Sequence, residues 1–373
     1  MRVLIDYRPA LRERSGTGEY THQLVRALTS ASAGLDDRLA VTLFSSSWKD
    51  RLVDLSDLRP ASVVDRRIPV RLLNLSWHRL GWPPAEVIAG GTFDVTHSSH
   101  PLMLPSRNAA HVVTIHDLNF LKHPERTRAE IRRDYPALAR DHAQRADGIL
   151  VSSAFTATEV EVVLAVPRDR ITICPHGAPE WTPRDRQPQA GYILFVGTLE
   201  PRKNVGGLLD AYERLITTAG VPDLVLAGKA LPESHGWLAR IARQPLSGHV
   251  RHIGYVEPSQ MRQLYEGARL LVLPSFEEGF GIPALEAMTI GVPVVASRRG
   301  SLPEVLGDAG VLVDPDRPAD IADAMCRVLT DEAFAASCAK RGVERARAFR
   351  WDSTARTVYG AYQRAMEQHA HRH

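Results

Sequence analysis

Short aliphatic and β-branched runs recur along this chain, each closed by a loop and followed by a helical pattern. That alternation constrains the fold most, because strands separated by helices read as parallel βαβ units. In the first half, strands are expected near "RVLIDY", "AVTLFSSS", "DVTHSS", "HVVTIHD", "GILVSS" and "ITICPHG", with helices near residues 18–31, 137–146 and 154–165. In the second half, "YILFVGT", "DLVLAGK", "VRHIGYV", "RLLVLPS", "PVVASRR" and "GVLVDP" alternate with helices near 205–219, 258–267, 283–290 and 319–330. So many strands exceed one sheet, and 373 residues suit two domains. The Pro-rich polar stretch "APEWTPRDRQPQAG" is the natural linker. The expected organisation is therefore an N-terminal domain over 1–180, a second over 181–350, and a helical segment over 351–373. That segment carries apolar Ala355, Val358, Tyr359, Tyr362 and Met366 at helical spacing, and it needs a surface to bury them.

Composition excludes several classes. Hydrophobic residues make up 44% and charged residues 24%, which is ordinary soluble usage. The net charge of +3 gives no case for nucleic acid as a partner. Cys174, Cys326 and Cys338 are odd in number and unpaired in spacing, against a disulfide framework or a zinc site. The first apolar run ends at Asp6, too soon for a signal peptide or spanning helix, so a cytoplasmic location is expected. The terminal "HAHRH", with His369, His371 and His373, is expected to be a frayed tail rather than a metal site.

The stretch "PSFEEGFGIPALEAM" places Glu278 before a Gly-Phe-Gly turn and Glu286 inside the helix that follows. Gly279 and Gly281 free the backbone, and Pro283 suits the first helical position. The amides of Phe280, Gly281 and Ile282 then lie at a helix N-terminus, a site for phosphate or sugar oxygens. A carboxylate accepts two hydroxyls at once, so the two glutamates suit ribose and hexose diols. Equally, Glu286 could complement a helix dipole while Glu277 and Glu278 stay solvated.

A second strand–loop–helix stretch, "YILFVGTLEPRKNVGGLLDAY", puts Arg202 and Lys203 beside a helix start, as a diphosphate clamp or as a solvated basic loop. A third, "RERSGTGEYTHQLVRAL", has Gly16 and Gly18 but Thr21 where a dinucleotide fingerprint needs Gly or Ala, which weakens an NAD reading. His116 falls at a strand's carboxyl end, as a structural histidine or a proton-handling one; for His97 and His100 the structural role is the stronger. "DPD", Asp314 to Asp316, is better explained by a turn and helix cap than by a metal. The segment "DRRIPVRLLNLSWHRLGW" mixes Arg66, Arg67, Arg71 and Arg79 with leucines, Trp77 and Trp82. It reads either as a helix packed on the first sheet or as one resting on an anionic membrane surface.

Together these residues resemble the family 4 glycosyltransferases, retaining enzymes of the GT-B fold, along essentially the whole chain. "EEGFGIPALEA" looks like that family's Glu-x7-Glu motif, "VGTLEPRKN" like its donor-phosphate loop, "SGTGEYTHQLVRAL" like its N-terminal glycine loop and "VVTIHDL" like the strand bearing its active-site histidine. The combination is similar to a bacterial branch rich in mannosyltransferases of polysaccharide and O-antigen assembly. The resemblance implies an α/β GT-B architecture, two Rossmann-like doubly wound parallel-sheet domains facing a central cleft, with the C-terminal helix crossing back to the first domain. It implies Glu286 on the nucleotide ribose, Glu278 on the donor sugar, and Phe280, Gly281 and Ile282 as backbone donors. Lys203 would hold the diphosphate with Arg202 in support, Val256 would pack on the base, Gly16 would lie near diphosphate and acceptor, and His116 would contact the transferred sugar. Many members carry Arg directly after the "VG", where this chain has Thr198. No metal and no cofactor are implied, since cations and helix dipoles stabilise the leaving nucleoside diphosphate.

The expectation is thus a cytoplasmic retaining transferase, peripheral to the inner membrane face if that segment meets lipid. It would move a hexose, foremost mannose from GDP-mannose, to a glycan or lipid-linked acceptor. The rivals are a transferase using UDP-glucose or UDP-N-acetylglucosamine, a nucleotide-sugar epimerase, and a binding protein that kept the fold.

Overall fold

The structure, a computed structural model, describes residues 1–11, 16–31, 39–48, 50–52, 56–123, 135–217 and 220–372. The chain divides into two compact units, Met1–Gly177 with Arg350–His373, and Ala178–Phe349.

The first unit is built on a parallel sheet of seven strands in the order β3-β2-β1-β4-β5-β6-β7. The strands are β1 Arg2–Asp6, β2 Ala40–Ser46, β3 Ser62–Arg66, β4 Val95–Ser98, β5 Ala110–Ile115, β6 Gly148–Val151 and β7 Ile171–Ile173. The central strands read as near-continuous apolar runs because both faces are covered. Among the covering helices are α1 Thr17–Ala31, α2 Val70–Leu80, α3 Ala85–Ala89, α4 Asn119–Lys122, α5 Tyr135–Arg145 and α6 Ala154–Leu164. Six strands were expected here and β3 is the seventh. Its "SVVDR" lies at the sheet edge and is largely exposed, so it lacks the apolar run that marks its neighbours.

The second unit holds six parallel strands in the order β10-β9-β8-β11-β12-β13. These are β8 Tyr192–Val196, β9 Leu224–Ala227, β10 Val250–Gly254, β11 Ala268–Leu273, β12 Val294–Ser297 and β13 Val311–Val313. All six fall on the expected runs. The helices include α7 Val205–Leu215, α8 His235–Ile241, α9 Pro258–Glu266, α10 Ile282–Ile290, α11 Leu302–Leu306, α12 Pro318–Thr330 and α13 Glu332–Ala346. α13 was not expected. It follows α12 with Asp331 alone between them, and that residue caps it by accepting the Phe334 amide at 2.9 Å. No Gly or Pro marks the break. The helix expected over 205–219 ends at Leu215, and residues 218 and 219 lie outside the described ones.

The last helix, α14 Trp351–Arg372, belongs to the first unit and packs on α1, β5 and β6. It buries Ala355, Val358, Ala361, Tyr362 and Ala365. Tyr359 is only half-buried, because the small Ala361 and Ala365 set the close face instead. Tyr362 hydroxyl meets His97 Nδ1 at 2.7 Å, and His97 Nε2 meets Thr114 Oγ1 at 2.8 Å, so His97 is a structural rivet. The expected frayed tail is corrected: α14 continues through Arg372, and His369 Nδ1 meets Asp147 Oδ2 at 3.0 Å. His373 lies outside the described residues.

Candidate active site

In an open parallel sheet, ligands bind beyond the carboxyl ends of the strands where the strand order reverses. In the second unit that point lies between β8 and β11. The loop after β8 carries Arg202 and Lys203, and the loop after β11 carries Glu278, so the fold brings together residues 75 positions apart.

Lys203 is 8% exposed and Glu278 5%. Lys203 Nζ donates to Glu278 Oε1 at 2.6 Å and Oε2 at 2.7 Å, and Ser275 Oγ donates to Oε1 at 2.7 Å. Arg202 Nη1 stands 3.6 Å from Glu278 Oε2, while its Nε binds Glu200 at 2.7 Å. Burial opposes ionisation of Glu278, yet the Lys203 charge, then Arg202 and the hydrogen bonds from Lys203 and Ser275, hold its carboxyl below the usual range. Glu278 is therefore a charged acceptor in a buried site. An ammonium has three hydrogens, and two bonds to Glu278 leave one for another anion.

The backbone around this pair is tightly specified. Ser301 donates to the Glu278 carbonyl from its amide at 3.1 Å and its hydroxyl at 2.9 Å. A Cβ on Gly300 would fall 2.8 Å from that same oxygen, so only glycine fits. Asn204 caps α7 through the Gly207 amide at 3.2 Å and donates from Nδ2 to the carbonyls of Pro274 at 3.1 Å and Pro315 at 2.7 Å. It thereby ties the Lys203 loop to the ends of β11 and β13. Sequence reasoning passed over Gly300, Ser301 and Asn204; an Asn directly before a helix was the available signal.

α10 begins at Ile282, with Gly281 as its left-handed cap at φ 99°, so Pro283 sits one position later than expected. A Cβ at Gly281 would meet Leu302 at 2.6 Å. The Phe280 ring is buried against Phe349, so its side chain serves the core of this unit. Glu286, in the second turn of α10, accepts from the Tyr265 hydroxyl at 2.7 Å. Tyr265 is buried and its pKa is raised well above the ordinary value by that burial and by Glu286, so it remains a donor that orients the carboxylate. Tyr265 was not anticipated. Val256, after β10, is half-buried against the core of this unit. Asp314 and Asp316 face Arg298 and Arg299, and Asp314 Oδ1 accepts the Asp316 amide at 3.2 Å. The turn is present, but the side-chain cap is not: α12 is preceded by Arg317 and has no side-chain cap bond. Among the described residues, no group of three or more His, Cys, Asp or Glu is placed to hold a metal ion.

In the first unit, His116 follows β5, with Nε2 3.2 Å from the Ser99 carbonyl. A carbonyl only accepts, so Nε2 carries the hydrogen and Nδ1 the lone pair. The ring stands edge-on to Tyr20 at 4.8 Å and 5.9 Å from His176. Burial pushes its pKa down to about 4, so it is neutral near pH 7 and presents an acceptor. His176, at the end of β7, was not singled out in the sequence; it is buried between Tyr20 and Trp351. His100 Nε2 meets Asp6 at 3.1 Å, and Arg8 holds the same carboxylate at 2.7 Å. Gly16, at φ 51° ahead of α1, is exposed, and its carbonyl accepts the Tyr20 amide at 3.0 Å; residues 12–15 of that loop lie outside the described ones.

Two doubly wound parallel sheets in one chain, with a cation and a carboxylate meeting at the switch point of the second, make up the architecture of the GT-B fold. Sucrose-phosphate synthase from Thermosynechococcus elongatus superposes with a TM-score of 0.76 at 21% identity, covering 97% of this chain and 98% of that one. WaaG, a glycosyltransferase involved in lipopolysaccharide biosynthesis, gives 0.70 at 15% identity, covering 97% and 98%. At such identities these likenesses speak for the fold alone. The chain belongs to the family 4 glycosyltransferases: the profile described as "Glycosyltransferase Family 4" matches residues 14–180 and that described as "Glycosyl transferases group 1" matches residues 183–345. It is similar to the O-antigen chain mannosyltransferase B of Escherichia coli, 30% identical across 97% of this chain and 99% of that protein.

Proposed function

We propose that this glycosyltransferase moves mannose from GDP-mannose to a hydroxyl of a glycan or lipid-linked acceptor, with retention of configuration and without a metal. The buried Lys203–Glu278 pair at the switch point carries the reading. As the bond from the anomeric carbon to the phosphate breaks, negative charge grows on the diphosphate. Lys203, with Arg202 beside it, and the amides of Phe280, Gly281 and Ile282 at the start of α10 suit that charge. The remaining lone pair of Glu278, on Oε2, suits a sugar hydroxyl, Glu286 the ribose, and Val256 the base. Front-face displacement is the economical course, the departing phosphate taking the acceptor proton. Acceptor binding belongs to the first unit, where Gly16 offers open backbone and His116 Nδ1 accepts from a sugar hydroxyl. The mannosyltransferase relative favours mannose over glucose.

The test supplies GDP-mannose, UDP-glucose and UDP-N-acetylglucosamine in parallel with a mannosylated acceptor, following product anomers by NMR. Transfer from GDP-mannose to an α-linked product is expected. Preferential use of a UDP-sugar would replace the donor, an inverted product would refute retention, and acceptor-free release of an isomerised sugar would point to an epimerase. Binding without turnover, unchanged by Glu278→Ala, would leave a binding protein.

A further inference from the structure

The Pro-rich stretch between the units reads as a linker, yet its second half does more than connect. Residues 183–189 belong to the second unit, where they wall a cavity of about 730 Å³ together with the start of β11, the Gly291 turn and one face of α13. That face consists of Glu332, Ala336, Ala339, Lys340 and Val343, related by the three- and four-residue steps that bring helical side chains to one side. Its two alanines leave the space that larger side chains would fill. Pockets for small molecules span roughly 300–1,000 Å³, so the volume suits one. The cavity lies at the amino ends of the strands: Gln189 precedes β8, Arg269 is the second residue of β11, and Gly291 precedes β12. Lys203 and Glu278 stand beyond the carboxyl ends. β11 alone, at about 3.3 Å for each of its six residues, separates the two ends by roughly 20 Å.

Charge gives the cavity its chemistry. Arg184, Arg186, Arg269 and Lys340 border it, against the exposed carboxylates of Asp185 and Glu332. Among the described residues, none of the four cations has a carboxylate within ion-pair distance. Arg184 is the clearest case. Its amide donates to the Ile290 carbonyl at 3.0 Å, and Nη1 donates to the carbonyls of Glu266 at 3.2 Å and Ala268 at 2.5 Å, which pins the side chain. Its Nε and Nη2 are buried with no hydrogen-bond partner among the described residues. The carboxylate of Glu266 raises its pKa, but that group is held by Arg262 at 2.8 Å, and burial outweighs it, pushing Arg184 down to about 10. Arg184 therefore stays charged near pH 7. Arginine is seldom buried without a counter-charge, and a cleft lined by one sign of charge concentrates ions of the other. Four cations against two carboxylates leave an excess of +2. One phosphate ester, at about −1.5 to −2, matches it.

We propose that this cavity binds a phosphorylated small molecule, with the phosphate among Arg184, Arg186, Arg269 and Lys340 and the carbon body on the alanine face of α13. The site stands apart from sugar transfer, and its occupancy is measured without donor or acceptor. Calorimetric titration of the full chain with glucose 6-phosphate, inorganic phosphate and glucose tests it at low and high salt. Glucose 6-phosphate should bind, more weakly as salt rises, and glucose should not. Two variants attack the site differently: R186A/K340A removes charge from exposed positions, and A336W fills the hollow. Each should weaken binding by about tenfold or more with an unchanged melting temperature. The Lys203→Met/Glu278→Gln pair, which strips the charge pair from the donor site, should bind glucose 6-phosphate like wild type. No binding to wild type, or equal binding to both cavity variants, would overturn the proposal. Binding lost in the donor-site pair alone would assign the phosphate to Lys203 and overturn it as well. Inorganic phosphate bound as tightly as the ester, and unaffected by A336W, would refute the role of the carbon body.

Discussion

The two units share one architecture and differ in the chemistry at the carboxyl edge of their sheets. The second gathers charge: Lys203 and Arg202 on Glu278, Arg298 and Arg299 on Asp314 and Asp316. Around His116 the first places neutral groups, Tyr20, His176, Ser98 and Ser99, with its charges fewer and set apart in Asp117 and in the Asp6–Arg8 pair at the end of β1. A parallel sheet therefore fixes where a ligand can sit without fixing its class. Paired charges suit a phosphorylated ligand, and neutral rings and hydroxyls suit an uncharged polyol.

The comparison can be broken in four ways, the first having the largest effect. Removing residues 351–373 should unfold the first unit, because Tyr362, Val358 and three alanines leave its core together, while the second keeps its protection in hydrogen exchange. Protection lost equally in both units would show them to be one cooperative body. Lys203→Ala leaves Glu278 buried without its main partner, and such a loss typically costs about 3 kcal/mol. Turnover should fall by about a hundredfold or more. The Lys203→Met/Glu278→Gln pair should recover part of the stability in urea but none of the rate; a double variant as unstable as the single would mean that the ion pair is not the source.

The third test is pH. Burial pushes His97 down to about 3 and His116 to about 4 in the folded first unit, from 6.5 unfolded, so below 6.5 the unfolded chain binds more protons. Stability of the first unit should fall as pH drops from 6.5 toward 4. Glu278 runs otherwise. Its folded pKa lies below the ordinary 4.5, so its contribution is present above 4.5 and disappears only as pH falls through that lower value. Limited proteolysis at stepped pH should therefore open the first unit before the second, and the reverse order would contradict the assignment. The smallest effect belongs to Tyr265→Phe, which removes one hydrogen bond to Glu286 worth about 1–2 kcal/mol. A several-fold higher KM for the nucleotide sugar with a nearly unchanged kcat is expected, and an unchanged KM would detach Glu286 from donor binding.

Much of this was legible in the sequence because doubly covered strands cannot hide their apolar runs; β5 and β11 are examples. β3 escaped by being a half-exposed edge, and α13 by following α12 without a breaker residue. Glu278 and Lys203 were visible as polar residues in strand-end loops, but their bond was not, since no local pattern encodes contact across 75 positions. Asn204, Ser301 and Tyr265 act through carbonyls and a carboxylate that only the fold brings near. Of the two readings of residues 65–82, the structure shows the sheet-packing one: α2 buries Leu73 and Trp77 inward, while Leu72 and Leu75 stand exposed.

The chain leaves the first unit, completes the second, and only then returns as α14. His97 waits for a partner made 265 residues later. At about 5–20 residues per second, a ribosome takes on the order of ten seconds or more to close that gap. Until α14 is made, Val112 and Leu150 lack the helix that covers them in the folded unit. A chain ending at residue 350 would carry a finished second unit beside a first that lacks the helix filling its core.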